Sequence, residues 1–356
     1  MIIHSKLKDY QVVFQETLEF LGPLTQKENT QFVIDSRIYE LYGAHFQNIP
    51  AERLYLVTAT EEHKIMDTAL EICEKMTEIP AKRNAELVSV GGGIVQDITG
   101  FVANILYRGI AWTFVPTTLL ASCDSCIGGK TSLNYKKYKN LLGTFYPPDR
   151  LHICPAFFDT LSQRDFESGL GEVVKFNIMA GPAGLKRIKE NIDRLLARQK
   201  DCLREFVHSS LEFKKEFIEI DEFDRGERVK LNFAHTFGHA IETVTQYEIP
   251  HGTAVAIGMI IADRISERRG LLSPDTARRS EAVLLRVIHT DVKLENYPME
   301  GIIAAIRKDK KQTSRELTAV LMTDTAKDLR VVHDVTEDEV REAFSYFEKL
   351  YEARNR

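Results

Sequence analysis

The pattern of apolar residues changes character near the middle of the chain, and that change restricts the fold more than any single residue does. In the first part, 30–35 (TQFVID), 53–58 (RLYLVT), 86–90 (ELVSV) and 111–115 (AWTFV) are short apolar runs rich in β-branched residues, with helical patterns between them. Runs of that length separated by helices predict parallel strands joined by crossovers. From about Pro155 onward the periodicity is helical, over 166–180, 184–198, 202–220, 228–245, 251–269, 273–287 and a last helix from Glu337. A hairpin-like pair, 317–322 and 329–332, interrupts the run. The expected architecture is α/β, with a parallel-sheet domain over 1–155 and a helical domain over 156–356. No repeat, low-complexity tract or flexible linker separates them, so the two are expected to pack closely and share a cleft.

A chain of 356 residues can bury two cores of ordinary size. Its net charge of -5 offers no general basic surface for nucleic acid, so clusters of cations need local explanations. Residues 1–10 lack an apolar core of signal-peptide length, and no apolar run approaches the roughly 18 residues of a membrane span. A cytoplasmic protein is expected. Five cysteines at irregular spacing form no disulfide framework. Cys123 and Cys126 make a C-x-x-C pair, but there is no second pair and Asp124 sits inside the spacing. They read as small buried residues.

Gly91, Gly92 and Gly93 follow the strand ending at Val90 and precede a helix beginning near Ile94. Glycines there let backbone N–H groups approach a pyrophosphate, and the helix N-terminus favours negative charge. A second loop, Pro116-Thr117-Thr118, follows the strand ending at Val115. Parallel strands end at a common edge, so the two loops are expected to be neighbours, forming a nucleotide site. Downstream, Lys130 follows Gly128-Gly129, Lys139 precedes Asn140, and Glu172 and Lys175 stand at i, i+3 on a helix. Lysines among glycines and small residues suit phosphate binding better than a solvated surface.

Arg228, Asn232, His235 and His239 are spaced i, i+4, i+7, i+11 on one expected helix. At about 100° per residue they fall within roughly 60° of one another, so one face presents a cation, an amide and two imidazoles. An average polar stripe is a solvated helix face. Two histidines on consecutive turns, however, can hold one metal ion if a third ligand comes from elsewhere. His251, just past the turn at 247–250, is one candidate, and Glu172 is the natural carboxylate.

Taken together, GGGIVQD (91–97), YRG (107–109), VPTTLLASCDSCIGGKTSLN (115–134), KNLLG (139–143), GEVVK (171–175), LNFAHTFGHAIE (231–242) and HGTAVAIGM (251–259) resemble the 3-dehydroquinate synthases and their relatives, the sugar phosphate cyclases. The resemblance runs in order over roughly 30–325. It implies an N-terminal Rossmann-like domain holding NAD, followed by an all-helical C-terminal domain holding a catalytic zinc or cobalt, with a sugar phosphate between them. Glu172, His235 and His251 match the metal ligands, which moves His239 to the substrate. Asp35, Glu61, Lys64, Gly92, Gly93, Asp97, Thr117, Thr118, Lys139 and Thr160 match nucleotide-contacting positions. Asp124, Lys130, Asn140, Lys175, Lys214, Arg228, Asn232, His239 and Lys311 match substrate-contacting ones. Arg108 matches an arginine that reaches the phosphate bound by a neighbouring subunit, which implies a homodimer.

The implied reaction borrows NAD for a transient oxidation, eliminates phosphate and closes a carbocycle, regenerating NAD within one turnover. In the 3-dehydroquinate synthases the positions of Lys214 and Arg228 pair with a substrate carboxylate, so their joint presence favours an acidic substrate, 3-deoxy-D-arabino-heptulosonate 7-phosphate. Some positions depart from the family's pattern: Gly171 replaces the usual alanine, Ala234 a glycine and Thr253 an acid, and Cys123 and Cys126 flank Asp124. None removes a catalytic group, but they leave open a related cyclase of secondary metabolism, such as an aminodehydroquinate synthase or one acting on sedoheptulose 7-phosphate. A metal-dependent polyol dehydrogenase would share the architecture but release NADH and lack the set formed by Lys130, Lys175 and Arg228. A silent binding paralogue would have lost a ligand.

Overall fold

The structure is a computed structural model that describes residues 1–78, 84–289, 292–308 and 317–355. Lys311 lies outside the described residues. Two compact units are present: the first comprises 1–161 with 218–223, the second 162–217 with 224–356.

The first unit contains the strands β1 (Ile2–Ile3), β2 (Tyr10–Phe14), β3 (Thr30–Asp35), β4 (Leu54–Val57), β5 (Glu86–Gly91), β6 (Ala111–Pro116), β7 (Lys130–Tyr135), β8 (Tyr138–Phe145) and β9 (Arg150–Ile153). Its helices are α1 (Leu21–Gln26), α2 (Ser36–Tyr42), α3 (Met66–Glu78) and α4 (Gly93–Ile105). The main sheet has seven strands in the order β1-β2-β9-β6-β5-β3-β4. All its pairings are parallel except β1 with β2. The four strands expected from apolar runs are β3 to β6. In the central β3 and β5, Phe32, Val33, Ile34, Leu87, Val88 and Val90 are at most 1% exposed, the unbroken apolar run of a sheet covered on both faces. The hairpin β7–β8 escaped the apolar pattern because β8 is largely exposed and its apolar residues do not alternate with polar ones.

The second unit contains α5 (Gln163–Met179), α6 (Pro182–Leu196), α7 (Lys200–Ile220, whose last three residues group with the first unit), α8 (His235–Val244), α9 (His251–Arg268), α10 (Pro274–Val287), α11 (Met299–Lys308) and α12 (Glu337–Asn355). One antiparallel hairpin, β10 (Leu317–Met322) with β11 (Leu329–Val335), qualifies its helical character and lies where the sequence placed it. Local chemistry sets the helix starts: Ser162 and Ser273 cap α5 and α10 with side-chain oxygens, and proline opens α6 and α10.

The buried helix α9 organises this unit, and glycines let its neighbours approach it. A Cβ on Gly171 of α5 would lie 2.2 Å from the carbonyl oxygen of Gly252, and a Cβ on Gly252 would lie 2.1 Å from that of Glu167. At the start of α8, a Cβ on Gly258 would meet the Ala234 carbonyl oxygen at 2.4 Å. Backbone therefore touches backbone at both crossings.

The single helix expected over 228–245 does not form. Residues Glu227–Asn232 make a 3-10 turn, Ala234 is left-handed (φ 70°, ψ −20°), and α8 starts afresh at His235. A left-handed residue cannot continue a right-handed helix, so Arg228 and Asn232 do not share one helical face with His235 and His239.

Further along α9, Asp263 is fully buried, with Oδ2 accepting from Ser280 Oγ at 2.7 Å. Burial pushes its carboxyl up to about 7, against the hydrogen bond from Ser280 and with help from Glu281. Because the folded value exceeds the ordinary 3.8, this stability is present below about pH 4 and is lost as pH rises through 7. Asp263→Asn should therefore raise the melting temperature more at about pH 8 than at about pH 5; an equal shift at both, in thermal melts, would contradict the linkage. Gly252→Ala should cost about 1–3 kcal/mol in a chemical denaturation series, because its methyl must displace the backbone of α5.

Candidate active site

The second unit gathers three side chains that could hold a metal ion. Glu172 comes from the middle of α5, and His235 and His251 are the first residues of α8 and α9. One ligand atom from each lies within 4.8 Å of the others. Glu172 Oε1 is 3.4 Å from His235 Nε2 and 3.2 Å from His251 Nε2.

The partners on the far sides of the rings fix what the near sides present. His235 Nδ1 is 3.0 Å from the Phe233 carbonyl oxygen, which can only accept, so Nδ1 carries the proton. His251 Nδ1 is 3.2 Å from Glu242 Oε1, which likewise draws the proton to Nδ1. In the neutral rings both Nε2 lone pairs then face a carboxylate oxygen. Three acceptors converging on one point are satisfied by a cation, either a proton carried by His251 or a metal ion, and the donor set of one carboxylate and two imidazoles suits a catalytic zinc or cobalt. The charges agree. Burial works against the positive form of His251, yet Glu172 and Glu242 together push its pKa up to about 10. Glu172 is itself held well below the usual carboxylate range: burial would raise it, but Lys175 and His251 outweigh that.

Lys175, one turn on from Glu172, places Nζ 2.6 Å from Glu172 Oε2 and donates to the Leu231 carbonyl at 3.0 Å. It is 2% exposed, and its second bond ties α5 to the turn that carries Arg228 and Asn232. His239 stands beside the triad rather than in it, its ring 5.1 Å from that of His235 and 6.3 Å from that of His251. Arg228 and Lys214 are buried at 3% and 6% exposure, and Asn232 donates to the Val229 carbonyl at 2.9 Å. Glu242 was not among the residues singled out from sequence. The glutamate ending the LNFAHTFGHAIE run, seven residues on from His235, was its only signal.

In the first unit the two expected loops are neighbours, joined by Thr117 N–H donating to the Gly91 carbonyl at 2.9 Å. Gly92 begins α4 without a side-chain cap, which leaves the first N–H groups of that helix for a ligand. A Cβ on Gly92 would press on Thr118 Cγ2 at 3.1 Å, and Thr117 Oγ1 is buried with no hydrogen-bond partner among the described residues. Asp35 ends β3 beside this loop, its Cβ 3.3 Å from where a Gly91 Cβ would stand. Glycine backbone, an orphaned hydroxyl and a strand-end carboxylate fit a dinucleotide.

A second cluster lies on the hairpin side. Lys64 pairs with Asp97 Oδ2 and donates to Asn140 Oδ1 at 2.7 Å, while Ser132 Oγ bridges Asp97 at 3.0 Å and Asn140 at 2.9 Å. Asn134 accepts from the Asn140 N–H and donates to Glu61 Oε2 at 2.8 Å, and Lys139 Nζ is 4.0 Å from Glu61. Five residues expected from sequence thus meet through Ser132 and Asn134, which had not been singled out. Asp124 is half-buried on a π-turn (Ala121–Ser125), and Lys130 is exposed at the start of β7. Thr160 meets Tyr42 Oη at 2.9 Å. Arg108 is exposed on a turn where it and Tyr107 both have positive φ. Cys123 and Cys126 are buried and unbridged, as expected.

Residues 54–168 match the family described as 3-dehydroquinate synthase N-terminal, and residues 169–312 match 3-dehydroquinate synthase C-terminal. A 3-dehydroquinate synthase of Clostridium tetani is 36% identical over 323 residues, covering 89% of this chain and 86% of that one. The corresponding enzyme of Dichelobacter nodosus is 39% identical over 284 residues, 79% of this chain and 76% of that one. Among solved structures, a 2-epi-5-epi-valiolone synthase from Streptomyces hygroscopicus subsp. jinggangensis, with NAD+ and Zn2+ bound, superposes with a TM-score of 0.83. It is 27% identical, with 97% of this chain and 99% of that chain covered.

If Glu242 orients His251, Glu242→Gln should weaken zinc binding about 10- to 100-fold in a competition titration while leaving the far-ultraviolet circular dichroism unchanged. Unchanged affinity would remove Glu242 from the site.

Proposed function

Since the chain belongs to the 3-dehydroquinate synthase family, we propose that it converts 3-deoxy-D-arabino-heptulosonate 7-phosphate to 3-dehydroquinate, with NAD and a zinc or cobalt ion. The observation that carries this reading is the second unit's combination of a Glu172/His235/His251 metal set with the buried cations Lys175, Lys214 and Arg228. The relatives named as 3-dehydroquinate synthases support it. When bound, NAD supplies a transient hydride acceptor and the metal a Lewis acid for substrate hydroxyls.

The chain's own residues do the rest. Gly92, Gly93, Thr117 and Thr118 receive the pyrophosphate of the nucleotide and Asp35 its ribose hydroxyls, with Glu61, Lys64, Asp97, Lys139 and Thr160 completing that site. Glu172, His235 and His251 hold the metal. Asp124, Lys130, Asn140 and Lys175 hold the phosphate end of the substrate and the hydroxyls near it, so that negative charge on the departing phosphate is met by fixed donors. Asn140 is suited to this because Lys64, Ser132 and Asn134 pin its side chain and backbone. Lys214, Arg228, Asn232 and His239 take the carboxylate end, and Lys311 is a further substrate contact. Burial sharpens that choice: desolvated cations favour a substrate that carries a carboxylate over a sugar phosphate that lacks one. Arg108, exposed on its strained turn, reaches a second copy in a cytoplasmic homodimer. No helix among the described residues is long and apolar enough to cross a membrane.

Purified protein with NAD and zinc or cobalt should release inorganic phosphate from 3-deoxy-D-arabino-heptulosonate 7-phosphate with no net rise in absorbance at 340 nm. Release from sedoheptulose 7-phosphate instead would transfer the chain to the related cyclases, and net NADH would make it a dehydrogenase. Arg228→Ala should raise KM and lower kcat, costing about 10- to 100-fold in kcat/KM, the loss expected of a hydrogen bond to a charged group.

A further inference from the structure

The first unit contains a cavity of about 710 Å³ that takes no part in the nucleotide site. Its lining includes Glu86, Ala111 and Arg150, the first residues of β5, β6 and β9. The nucleotide loops follow the last residues of β5 and β6, and each of those strands is six residues long, so the two sites lie roughly 16 Å apart at opposite edges of the sheet. Functional ligands of parallel sheets bind at the carboxyl edge; this cavity is at the amino edge.

Sheet register explains why its polar groups face one way. Glu86 pairs with Ala111 and Thr113 pairs with Arg150, while Thr113 and His152 lie two residues on from Ala111 and Arg150 respectively. Side chains at that spacing share one face. The carboxylates of the lining are already engaged: Glu86 pairs with Lys27 and accepts from Thr113 Oγ1 at 2.6 Å, and Asp149, just before β9, pairs with Lys8 and accepts from the Trp112 N–H at 2.9 Å. The exposed Arg150 guanidinium has no hydrogen bond or ion pair among the described residues. His152 is stacked on Phe20, ring centroids 5.1 Å apart and planes 17° from parallel. The Gln15 amide nitrogen donates to His152 Nδ1 at 2.8 Å, which leaves the ring proton on Nε2 as a second donor. Burial and then the charge of Arg150 hold the imidazole neutral, lowering its pKa to about 4.

We propose that this cavity is a second ligand site, which takes a carboxylate carried on a flat apolar body. Arg150 offers its planar fork to the carboxylate, and Phe20, Pro23, Leu24 and the His152 ring offer an apolar surface for the body. A bare inorganic anion would leave that surface unused, and a neutral ring would leave Arg150 without a counterion.

Benzoate is a suitable probe. Titrated into the full chain loaded with NAD and zinc, and followed by calorimetry or ligand-observed NMR, it should bind saturably at one site. Arg150→Met should weaken that binding about tenfold or more, as loss of a charged hydrogen bond does, with an unchanged melting temperature. Arg228→Met, which alters the other candidate anion site, should leave it intact. No saturable binding, equal binding by Arg150→Met, or loss in Arg228→Met would overturn the assignment. Inorganic phosphate competing as well as benzoate would also overturn it, since the flat body would then contribute nothing.

Discussion

The crossing of α5 and α9 at Gly171 and Gly252 is the contact on which the second unit's chemistry depends. Backbone meets backbone there, since a Cβ on either glycine would lie within 2.3 Å of a carbonyl oxygen of the other helix. Each glycine is also the immediate neighbour of a candidate metal ligand, Glu172 on one helix and His251 on the other. The distance between the carboxylate and the imidazole is therefore set by main-chain packing, not by flexible side chains. Gly258 repeats the device against Ala234, the residue before His235. All three members of the set are thus anchored at points where helices cannot slide apart without losing close contact.

This packing accounts for one departure from the family's pattern and frames a second. The usual alanine at position 171 has no room here, because the backbone of α9 at Gly252 occupies the space its methyl would take. The usual glycine at 234 is an alanine held at φ 70°, a conformation that costs an alanine roughly 1 kcal/mol. Its surroundings must supply that, and they include a bond from Gly238 N–H to the Ala234 carbonyl at 2.9 Å and the close approach of Gly258. The strain has a structural consequence. It ends one segment and starts another, so His235 stands at a helix N-terminus instead of inside a helix.

That break marks the limit of what periodicity could reveal. The central strands and the long helices were legible because burial on known faces imposes a repeat, and β3 begins and ends at the residues its apolar run suggested. Arg228, Asn232, His235 and His239 also fit a helical repeat, yet the turn at Ala234 depends on a contact with a helix more than twenty residues further on. Local pattern cannot carry such information. The β7–β8 hairpin was missed for a related reason: β8 is largely exposed, and Ser132, Asn134 and Asn140 serve a polar network, so no strict apolar alternation was imposed. The candidate site residues could be proposed by type and motif, while Ser132, Asn134 and Glu242, which hydrogen-bond to several of them, became visible only through distance.

Glu242 changes the charge balance of the metal set. Glu172 and Glu242 bring two carboxylates to His251, and Lys175 answers one of them. A proton on His251 can neutralise the other, which is why that ring is pushed up to about 10. A divalent ion at the same point would replace the proton and leave the cluster with one further positive charge. Such an excess stabilises a substrate oxygen as it loses its own proton. An acid at position 253, where this chain has a buried threonine two residues on from His251, would have brought another negative charge into α9 and reduced that excess. With Thr253 the balance rests on Glu172, Glu242 and Lys175, so the proton affinity of His251 and the pull of the site on a metal share one electrostatic origin.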